Sequence, residues 1–186
     1  MSKVIAVMNM TFDGYCDHTA GIADEETHQH YTDVINSADA ILYGRTTYQL
    51  MEDYWPALVK NPSGKKELDD FAVALDKIRK IIFSRTLKSV EWKTAKLATE
   101  GIEEEISKLK QELDGDILLG SPSMIVSGLK HNLIDEYQIC VHPVILGKGL
   151  TLFKDIEESV NLKLLKTKTF TCGAVVFYYE PTAKSV

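Results

Sequence analysis

The feature that most constrains this chain is a regular alternation of short apolar runs with longer amphipathic segments. Val4–Met8, Ala40–Tyr43 and Asp116–Leu119 are largely apolar runs of strand length, as expected for strands buried on both faces. The segment from Ile102 to Leu113 carries its apolar residues at helical spacing, which predicts an amphipathic helix. Strands that alternate with helices favour a largely parallel sheet with helices on both faces. The sequence therefore predicts a three-layer α/β/α fold.

The last third of the chain has a different pattern. Tyr137–Ile145 and Ala174–Tyr179 are predicted as strands, with Leu162–Lys168 as a further strand between them, and no amphipathic helix separates the three. Strands joined without a helical crossover commonly pair antiparallel. We therefore expect a mixed sheet that is mostly parallel and has an antiparallel C-terminal edge.

Capping and helix-breaking residues predict the bounds of the first two helices. The acidic run Asp24–Glu26 suits the positive end of a helix, which we predict to continue to Asn36. Thr46 or Thr47 is predicted to cap the next helix. Trp55-Pro56 is predicted to end it, because proline disrupts a helix interior.

The length of the chain predicts one domain, residues 1–186, because 186 residues suit a single domain and no linker-like segment interrupts the sequence. Lys and Arg number 21 and Asp and Glu number 27, which gives a net charge of −6. An acidic chain without a basic block is a poor candidate for binding nucleic acid or an anionic membrane. We therefore expect a small-molecule ligand that is held by local donors.

The sequence carries no signal that predicts secretion, membrane insertion or a metal site. The N-terminus is too short and polar for a signal peptide, and no apolar run approaches the roughly 18 residues of a membrane span, so we expect a cytoplasmic protein. Cys16, Cys140 and Cys172 are odd in number and far apart, which predicts neither a disulfide framework nor a zinc site. His28 and His30 form an H-x-H pair, but residues two apart on a helix point in different directions.

The apolar run within Lys80–Ser84 predicts a further strand, which runs into a polar loop. Three segments with phosphate-binding chemistry each lie at the end of a predicted strand: Gly44–Thr47, Ser84–Thr86 and Gly120–Ser123. Glycine permits close approach of a ligand, free N–H groups at a helix start bind anions, and arginine binds phosphate through paired hydrogen bonds. Helix capping explains any one segment alone. Ligands of open α/β sheets, however, bind beyond the carboxyl ends of the strands, where all three would meet. The chain has neither G-x-G-x-x-G nor G-x-x-x-x-G-K-[ST], so the predicted nucleotide site uses neither of these motifs.

Four segments of the chain, in this order, resemble a known family. They are Met8–Gly14, Leu42–Tyr48, Ile117–Pro122 and Ile134–Phe153, similar to its S-L-D-G turn, its G-R-x-T segment, its G-G or G-S segment and its D-E … P-v-l-G-x-G … F stretch. The chain resembles the dihydrofolate-reductase-like superfamily, specifically the C-terminal reductase domain of the bacterial bifunctional deaminase-reductases of riboflavin biosynthesis. The H-x-E … P-C-x-x-C signature of the zinc deaminase half is absent, so the resemblance is to a stand-alone reductase.

The resemblance implies a dihydrofolate-reductase-like fold and NADPH-dependent hydride transfer to a small pyrimidine- or pteridine-like or sugar-phosphate substrate, similar to that of 5-amino-6-(5-phosphoribosylamino)uracil reductase. The residues that it places against the cofactor are Gly44, Arg45, Thr46, Thr47, Ser84, Arg85, Gly120, Ser121, Ser123 and Met124. Those that it places against the substrate are Asn9, Cys16, Asp17 and His142. It also implies a homodimer formed through the C-terminal strands.

The chain departs from the family where the substrate would bind. The carboxylate that holds a pterin ring in folate reductases would fall near His28, which argues against dihydrofolate as the substrate. Asp13 and His28 are our candidate catalytic residues for proton transfer, with Glu25 or a bound water as alternatives, and Asp13 is equally explained as a turn residue. Two non-catalytic alternatives stay open: a nucleotide-binding sensor, and a scaffold that acts through a dimer interface.

Overall fold

One eight-stranded sheet runs through the protein, whose computed structural model describes residues 2–154, 156–157 and 159–182. The strands are β1 (Val4–Thr11), β2 (Ala38–Gly44), β3 (Arg79–Phe83), β4 (Ala95–Leu97), β5 (Asp116–Leu119), β6 (Glu136–His142), β7 (Leu162–Thr169) and β8 (Val175–Pro181). The helices are α1 (Glu25–Asn36), α2 (Arg45–Lys60), α3 (Lys66–Lys77), α4 (Ile102–Glu112) and α5 (Pro122–Lys130). The strands lie in the order β4-β3-β2-β5-β1-β6-β8-β7.

The sheet is mixed, which confirms the prediction. Strands β1 to β6 pair in parallel, whereas β8 pairs antiparallel with both β6 and β7. Strand β5 lies between β1 and β2 although it follows both in sequence. The carboxyl ends of β3, β2, β5 and β1 therefore line one edge of the sheet in that order, and this is the edge where ligands bind in such folds.

Helices cover both faces of the sheet, around two apolar cores. Ile106 of α4 and Ile125 of α5 share one core with Leu42 of β2. Ile35 of α1 and Leu75 of α3 belong to the core on the other face. The predicted three-layer α/β/α architecture is thereby confirmed. Within the described ranges, no helix is both long and apolar enough to cross a membrane.

Helix α1 begins where its acidic residues predict. Asp24 is the N-cap, and its carboxylate accepts a hydrogen bond of 2.8 Å from the backbone N–H of Thr27. The Thr27 side chain in turn accepts from the backbone N–H of Asp24, which completes a capping box. Such a cap contributes about 1 kcal/mol to helix stability. The helix ends at Asn36, as predicted.

The start of α2 differs from the prediction. The N-cap is Gly44 rather than Thr46 or Thr47, and the helix begins at Arg45, directly after β2. Gly44 has no side chain that can cap the helix. The first-turn N–H groups of α2 are therefore left without a side-chain acceptor at the edge of the sheet where ligands bind.

The predicted end of α2 is also wrong. The helix continues through Pro56 to Lys60. The Trp55 ring lies 4.7 Å from the ring of Phe71 on α3 and meets it edge-on. A proline in a helix interior lowers helix stability by about 3 kcal/mol. We attribute the continuation of the helix to the packing of α2 against α3, a long-range contact that the periodicity of the sequence does not reveal.

Two strands differ from their predictions. Strand β6 ends at His142 rather than Ile145, because the chain turns there and the Val144 N–H donates to the His142 carbonyl at 2.8 Å. Strand β4, which the sequence does not predict, has only the residues Ala95–Leu97. A segment of this length is too short to display a period of two.

Helix α1 packs against the end of β7 through the buried His30. The His30 ring lies 5.4 Å from the ring of Phe170 and 5.1 Å from that of Tyr31. Its Nδ1 is 3.4 Å from Nζ of Lys168. Burial, followed by the charge of Lys168, lowers the pKa of His30 to about 4. The imidazole is therefore neutral at neutral pH.

Acidification should destabilise the protein through His30. Its folded-state pKa of about 4 lies below the ordinary histidine value of about 6.5, so the unfolded chain takes up the proton first. The free energy of unfolding should fall as the pH drops from about 7 towards 4, with this residue contributing up to about 1.4 kcal/mol per pH unit. Urea denaturation at several pH values should show a flatter dependence for His30→Phe. The matched variant of the exposed His18, His18→Phe, should keep the wild-type dependence; equal slopes in all three proteins would contradict this account.

Candidate cofactor and substrate site

A single hydroxyl joins the carboxyl ends of β2 and β5. Ser121 Oγ accepts a hydrogen bond of 3.0 Å from the Gly44 N–H and a longer one of 3.4 Å from the Met124 N–H. Because Ser121 is the N-cap of α5 and Gly44 is the N-cap of α2, two helix N-termini meet at this hydroxyl. The positive ends of two helix dipoles thus converge, an arrangement that favours an anion.

Glycine at position 44 leaves space for the Ser123 hydroxyl at this junction. A Cβ on Gly44 would lie 2.3 Å from Oγ of Ser123, in the first turn of α5, and would force that hydroxyl to rotate away. The Gly44 φ of −76° is open to any residue, so space rather than backbone conformation favours glycine here. We call the junction of Gly44, Ser121 and Ser123 with the first turns of α2 and α5 the cradle.

The donors of the cradle are of the kinds that bind phosphate in proteins. Arg45 and Thr46 are exposed and Thr47 is half-buried, and the first-turn N–H groups of α2 have no intrahelical acceptor. Threonine hydroxyls and a guanidinium add further donors beside them. The structure thus brings together Gly44, Ser121 and residues 45–47, as the sequence predicts for a cofactor phosphate site.

The predicted adenosine end of the site lies at the carboxyl end of β3 and is linked to the cradle. Arg45 donates from a guanidinium nitrogen to the Thr86 hydroxyl at 3.4 Å. Ser84 Oγ accepts from the backbone N–H groups of Thr86 and Leu87 at 3.1 and 2.9 Å. These bonds order the turn and leave Arg85 exposed. The two arginines therefore lie on neighbouring strand ends.

Packing explains Gly120, which is predicted to contact the cofactor. A Cβ on Gly120 would lie 2.6 Å from Cε1 of Tyr43 and 2.7 Å from Cδ1 of Ile41. Both side chains belong to β2, the neighbour of β5. The close approach of these strands therefore accounts for the glycine, and its contact with a cofactor stays a prediction.

Tyr48 and Glu52, which no sequence motif marks as site residues, hold the loop after β3 against α2. Glu52 Oε1 accepts from the backbone N–H groups of Glu91 and Trp92, each at 3.1 Å. The Tyr48 hydroxyl donates to the same carboxylate oxygen. Burial, followed by this hydrogen bond, raises the pKa of Tyr48 to about 12. The loop that carries Arg85 is thereby tied to the helix that begins at the cradle.

The predicted substrate residues Asn9 and His142 meet at the carboxyl ends of β1 and β6. His142 Nε2 lies 3.0 Å from Asn9 Oδ1. The Tyr31 hydroxyl of α1 donates to the same oxygen at 2.8 Å. His142 is only 4% exposed, whereas Asn9 is exposed. One exposed amide is thus held by two side chains beneath it.

His28 lies on α1, one turn before Tyr31. Its Nδ1 is 2.9 Å from the Asp24 carbonyl oxygen, which can only accept, so Nδ1 carries a proton and donates. Its ring is 6.1 Å from that of Phe71 on α3. Nε2 is then the nitrogen left to exchange a proton, which agrees with the predicted catalytic role without testing it.

Cys16 and Asp17 are placed differently from Asn9. Cys16 packs against the core under α4 and α5, and burial raises the pKa of its thiol to about 11, so it is not a thiolate at neutral pH. The Asp17 carboxylate accepts from the N–H and the hydroxyl of Thr19 at 2.8 and 2.6 Å. These contacts assign Cys16 to packing and Asp17 to a turn, and their substrate contacts stay predictions.

Asp13 holds the loop after β6 against the end of β1. Its carboxylate accepts from the N–H groups of Leu146 and Gly147 at 3.1 and 2.7 Å and from the Thr11 hydroxyl at 2.6 Å. The hydrogen bond from Thr11, aided by those from the loop, lowers the pKa of Asp13. An ionised carboxylate with these donors has no proton to give at neutral pH. The geometry therefore argues against Asp13 as the proton donor and assigns it to positioning the loop.

The chain matches known proteins over almost its full length. Residues 2–176 match the RibD C-terminal domain family, and YyaP of Bacillus subtilis (strain 168) is 34% identical over 182 residues, which are 96% of this chain and 94% of YyaP. A candidate riboflavin biosynthesis protein of Shewanella sp. PV-4 has a similar structure, with a TM-score of 0.75 at 18% identity over 97% of this chain and 99% of that one. A diaminohydroxyphosphoribosylaminopyrimidine deaminase/5-amino-6-(5-phosphoribosylamino)uracil reductase of Thermotoga maritima gives 0.65 at 19% identity, over 97% of this chain but 57% of that one. These likenesses confirm the predicted dihydrofolate-reductase-like fold.

If the cradle holds the diphosphate of the expected cofactor, Gly44→Ala should weaken the binding of NADP⁺ by about tenfold or more, because the added methyl would occupy the cradle and cost at least one hydrogen bond to phosphate. Ser123→Ala is the reference protein against which the double variant Gly44→Ala/Ser123→Ala is compared. The double variant removes the hydroxyl that the new methyl would meet at 2.3 Å, so it separates crowding within the protein from blockage of the site. Calorimetric titration of all three proteins should show weak binding by both glycine variants; wild-type affinity in the double variant would contradict the assignment of the cradle.

Proposed function

This chain belongs to the RibD C-terminal domain family, and we propose that it is an NADPH-dependent reductase of a small pyrimidine- or pteridine-like or sugar-phosphate compound. The family match and the name of the Thermotoga maritima protein, which includes a uracil-derivative reductase, support the reaction class. The cradle supports a cofactor that carries a diphosphate. The observation that carries the proposal is the contact between the N-termini of α2 and α5 at Ser121.

The order of the strand ends supports one orientation for the cofactor. Arg85 follows β3, the cradle lies between β2 and β5, and Asn9 lies near the end of β1. A dinucleotide with its diphosphate in the cradle would place its adenosine 2′-phosphate towards Arg85. Its nicotinamide would then lie towards β1, beside Asn9. Two arginines near the adenosine end favour the extra phosphate of NADPH over NADH.

The residues of this chain would bind the cofactor, orient the substrate and supply a proton. The nicotinamide, when bound, supplies a hydride, and reduction of a C=N or C=O bond then needs one proton at the heteroatom. His28 can carry that proton at Nε2, since Nδ1 is engaged by the Asp24 carbonyl. Asn9 and the elements around it would orient the acceptor, and orientation alone can lower a barrier by several kcal/mol.

The C-terminal strands are proposed as a dimer surface. Strand β7 is exposed along its whole length, yet Leu162, Leu164 and Leu165 have exposed fractions of 39%, 50% and 43%. Leu164 pairs directly with Tyr179 of β8, so the two side chains share one face. Exposed apolar edge strands favour association. Light scattering at micromolar concentration should report a dimer, and a monomer would count against this surface.

Arg85→Ala should raise the dissociation constant of NADPH by about tenfold or more and leave that of NADH nearly unchanged, since a charged hydrogen bond contributes about 1.5–3 kcal/mol. The exposed Lys88 lies three residues further along the same loop, and Lys88→Ala is the matched control. Arg45→Ala should weaken the binding of both nucleotides if Arg45 holds the diphosphate, and the binding of NADPH alone if it holds the 2′-phosphate.

The measurement is a fluorescence titration of each variant with both nucleotides, followed by a test of NADPH oxidation with pyrimidine, pteridine and sugar-phosphate acceptors. Unchanged NADPH affinity in both Arg45→Ala and Arg85→Ala would refute the cofactor assignment. Tight NADPH binding without oxidation by any of these acceptors would favour a nucleotide-binding sensor instead.

A further inference from the structure

The protonation state of His142 follows from its hydrogen bonds. His142 Nδ1 lies 3.1 Å from the backbone N–H of Ile22. A backbone N–H can only donate, so Nδ1 accepts and carries no proton. Burial lowers the pKa of His142, which keeps the ring neutral at neutral pH. The single ring proton is therefore on Nε2.

This proton sets the orientation of the Asn9 amide. His142 Nε2, as a donor 3.0 Å away, requires the oxygen of the amide rather than its nitrogen. The Tyr31 hydroxyl donates to the same oxygen at 2.8 Å. The thiol of Cys140 is the other polar neighbour of Nε2, at 3.7 Å, and is a weak acceptor. Two donors thus fix which end of the Asn9 amide faces the protein.

The amide nitrogen of Asn9 is left facing outward. Its Oδ1 is engaged by His142 and Tyr31, and among the described residues no hydrogen-bond partner is found for Nδ2. Asn9 is exposed and lies on β1, one strand from β5, where neighbouring strands are about 4.8 Å apart. Two N–H groups are therefore held beside the place proposed for the nicotinamide.

We infer that Asn9 is a specificity-determining residue, whose side-chain NH₂ donates to a carbonyl oxygen or an unprotonated ring nitrogen of the substrate. This inference rests on the proposed reductase function and narrows its substrate to a compound with such an acceptor next to the bond that is reduced. His142 and Tyr31 are positioning residues, because they act through the oxygen of Asn9. A compound that offers only donors at this position would leave both N–H groups unpaired and would be rejected.

The variant Asn9→Asp separates this role from a structural one. A carboxylate accepts the hydrogen bonds of His142 and Tyr31 at least as well as an amide oxygen does, so a purely structural role survives the change. The outward donor is replaced by an anionic acceptor, which repels a carbonyl oxygen. A new carboxylate would raise the pKa of His142, so measurements at pH 8 keep that ring neutral.

The test uses uracil as a probe, since it presents two carbonyl oxygens on a planar ring. We would titrate uracil at millimolar concentrations into wild-type protein saturated with NADP⁺ at pH 8, and follow binding by saturation-transfer NMR. Asn9→Asp, also saturated with NADP⁺, should bind uracil about tenfold or more weakly. The control Asn36→Asp, at the exposed end of α1, should bind uracil as the wild type does. Tyr31→Phe should retain most of the uracil binding, because His142 still orients the Asn9 amide.

The outcomes for the two proposals are distinguishable. Failure of wild-type protein to bind NADP⁺ would overturn the reductase assignment, and uracil binding to the nucleotide-free protein would then test Asn9 by itself. Equal uracil binding by wild type and Asn9→Asp, or no uracil binding by wild type, would overturn the role of Asn9.

Discussion

The hydrogen bond from the Gly44 N–H to the Ser121 hydroxyl is the contact on which the rest of the site depends. It brings the N-termini of α2 and α5 together at adjacent strands, where one helix alone would offer a weak anion site. A side chain at position 44 would meet Ser123. The glycine, the capping serine and the insertion of β5 between β1 and β2 therefore form one structural unit. Together they bring the first turns of two helices to one place, which is the basis of the proposed diphosphate site.

The loops at the two ends of the proposed dinucleotide site are held by the same kind of contact, in which a carboxylate accepts hydrogen bonds from backbone N–H groups. At the β3 end, the Glu52 carboxylate accepts hydrogen bonds from the backbone N–H groups of residues 91 and 92, so the loop that carries Arg85 is tied to α2. At the β1 end, the Asp13 carboxylate accepts hydrogen bonds from backbone N–H groups of the loop after β6. Both carboxylates hold loops in place, and loops held in this way can position charged groups without being part of the chemistry. In our proposal the reacting region comprises the exposed amide of Asn9 and His28.

Local signals in the sequence predict much of this structure, and long-range contacts account for what they miss. Apolar runs and acidic capping residues predict the central strands and the start of α1 correctly, because burial and capping act over a few residues; the start of α2 at Arg45 and the short strand β4 are not predicted. Tyr48 and the loop at Glu91 are separated by 43 residues, so no spacing rule connects them. The continuation of α2 through Pro56 depends on packing of Trp55 against Phe71, and the assignment of Asp13 to a loop depends on residues more than 130 positions away. The meeting of Asn9 with His142 is predicted only through the family resemblance.

The most direct test of the account is a crystal structure of the protein with NADP⁺ at saturating concentration. We expect density for the diphosphate between the first turns of α2 and α5, within hydrogen-bond distance of the backbone N–H groups of residues 45–47. We also expect the 2′-phosphate beside Arg85 and the nicotinamide beside Asn9. Density for the nucleotide at any other place, or a cradle filled only by water under these conditions, would contradict it.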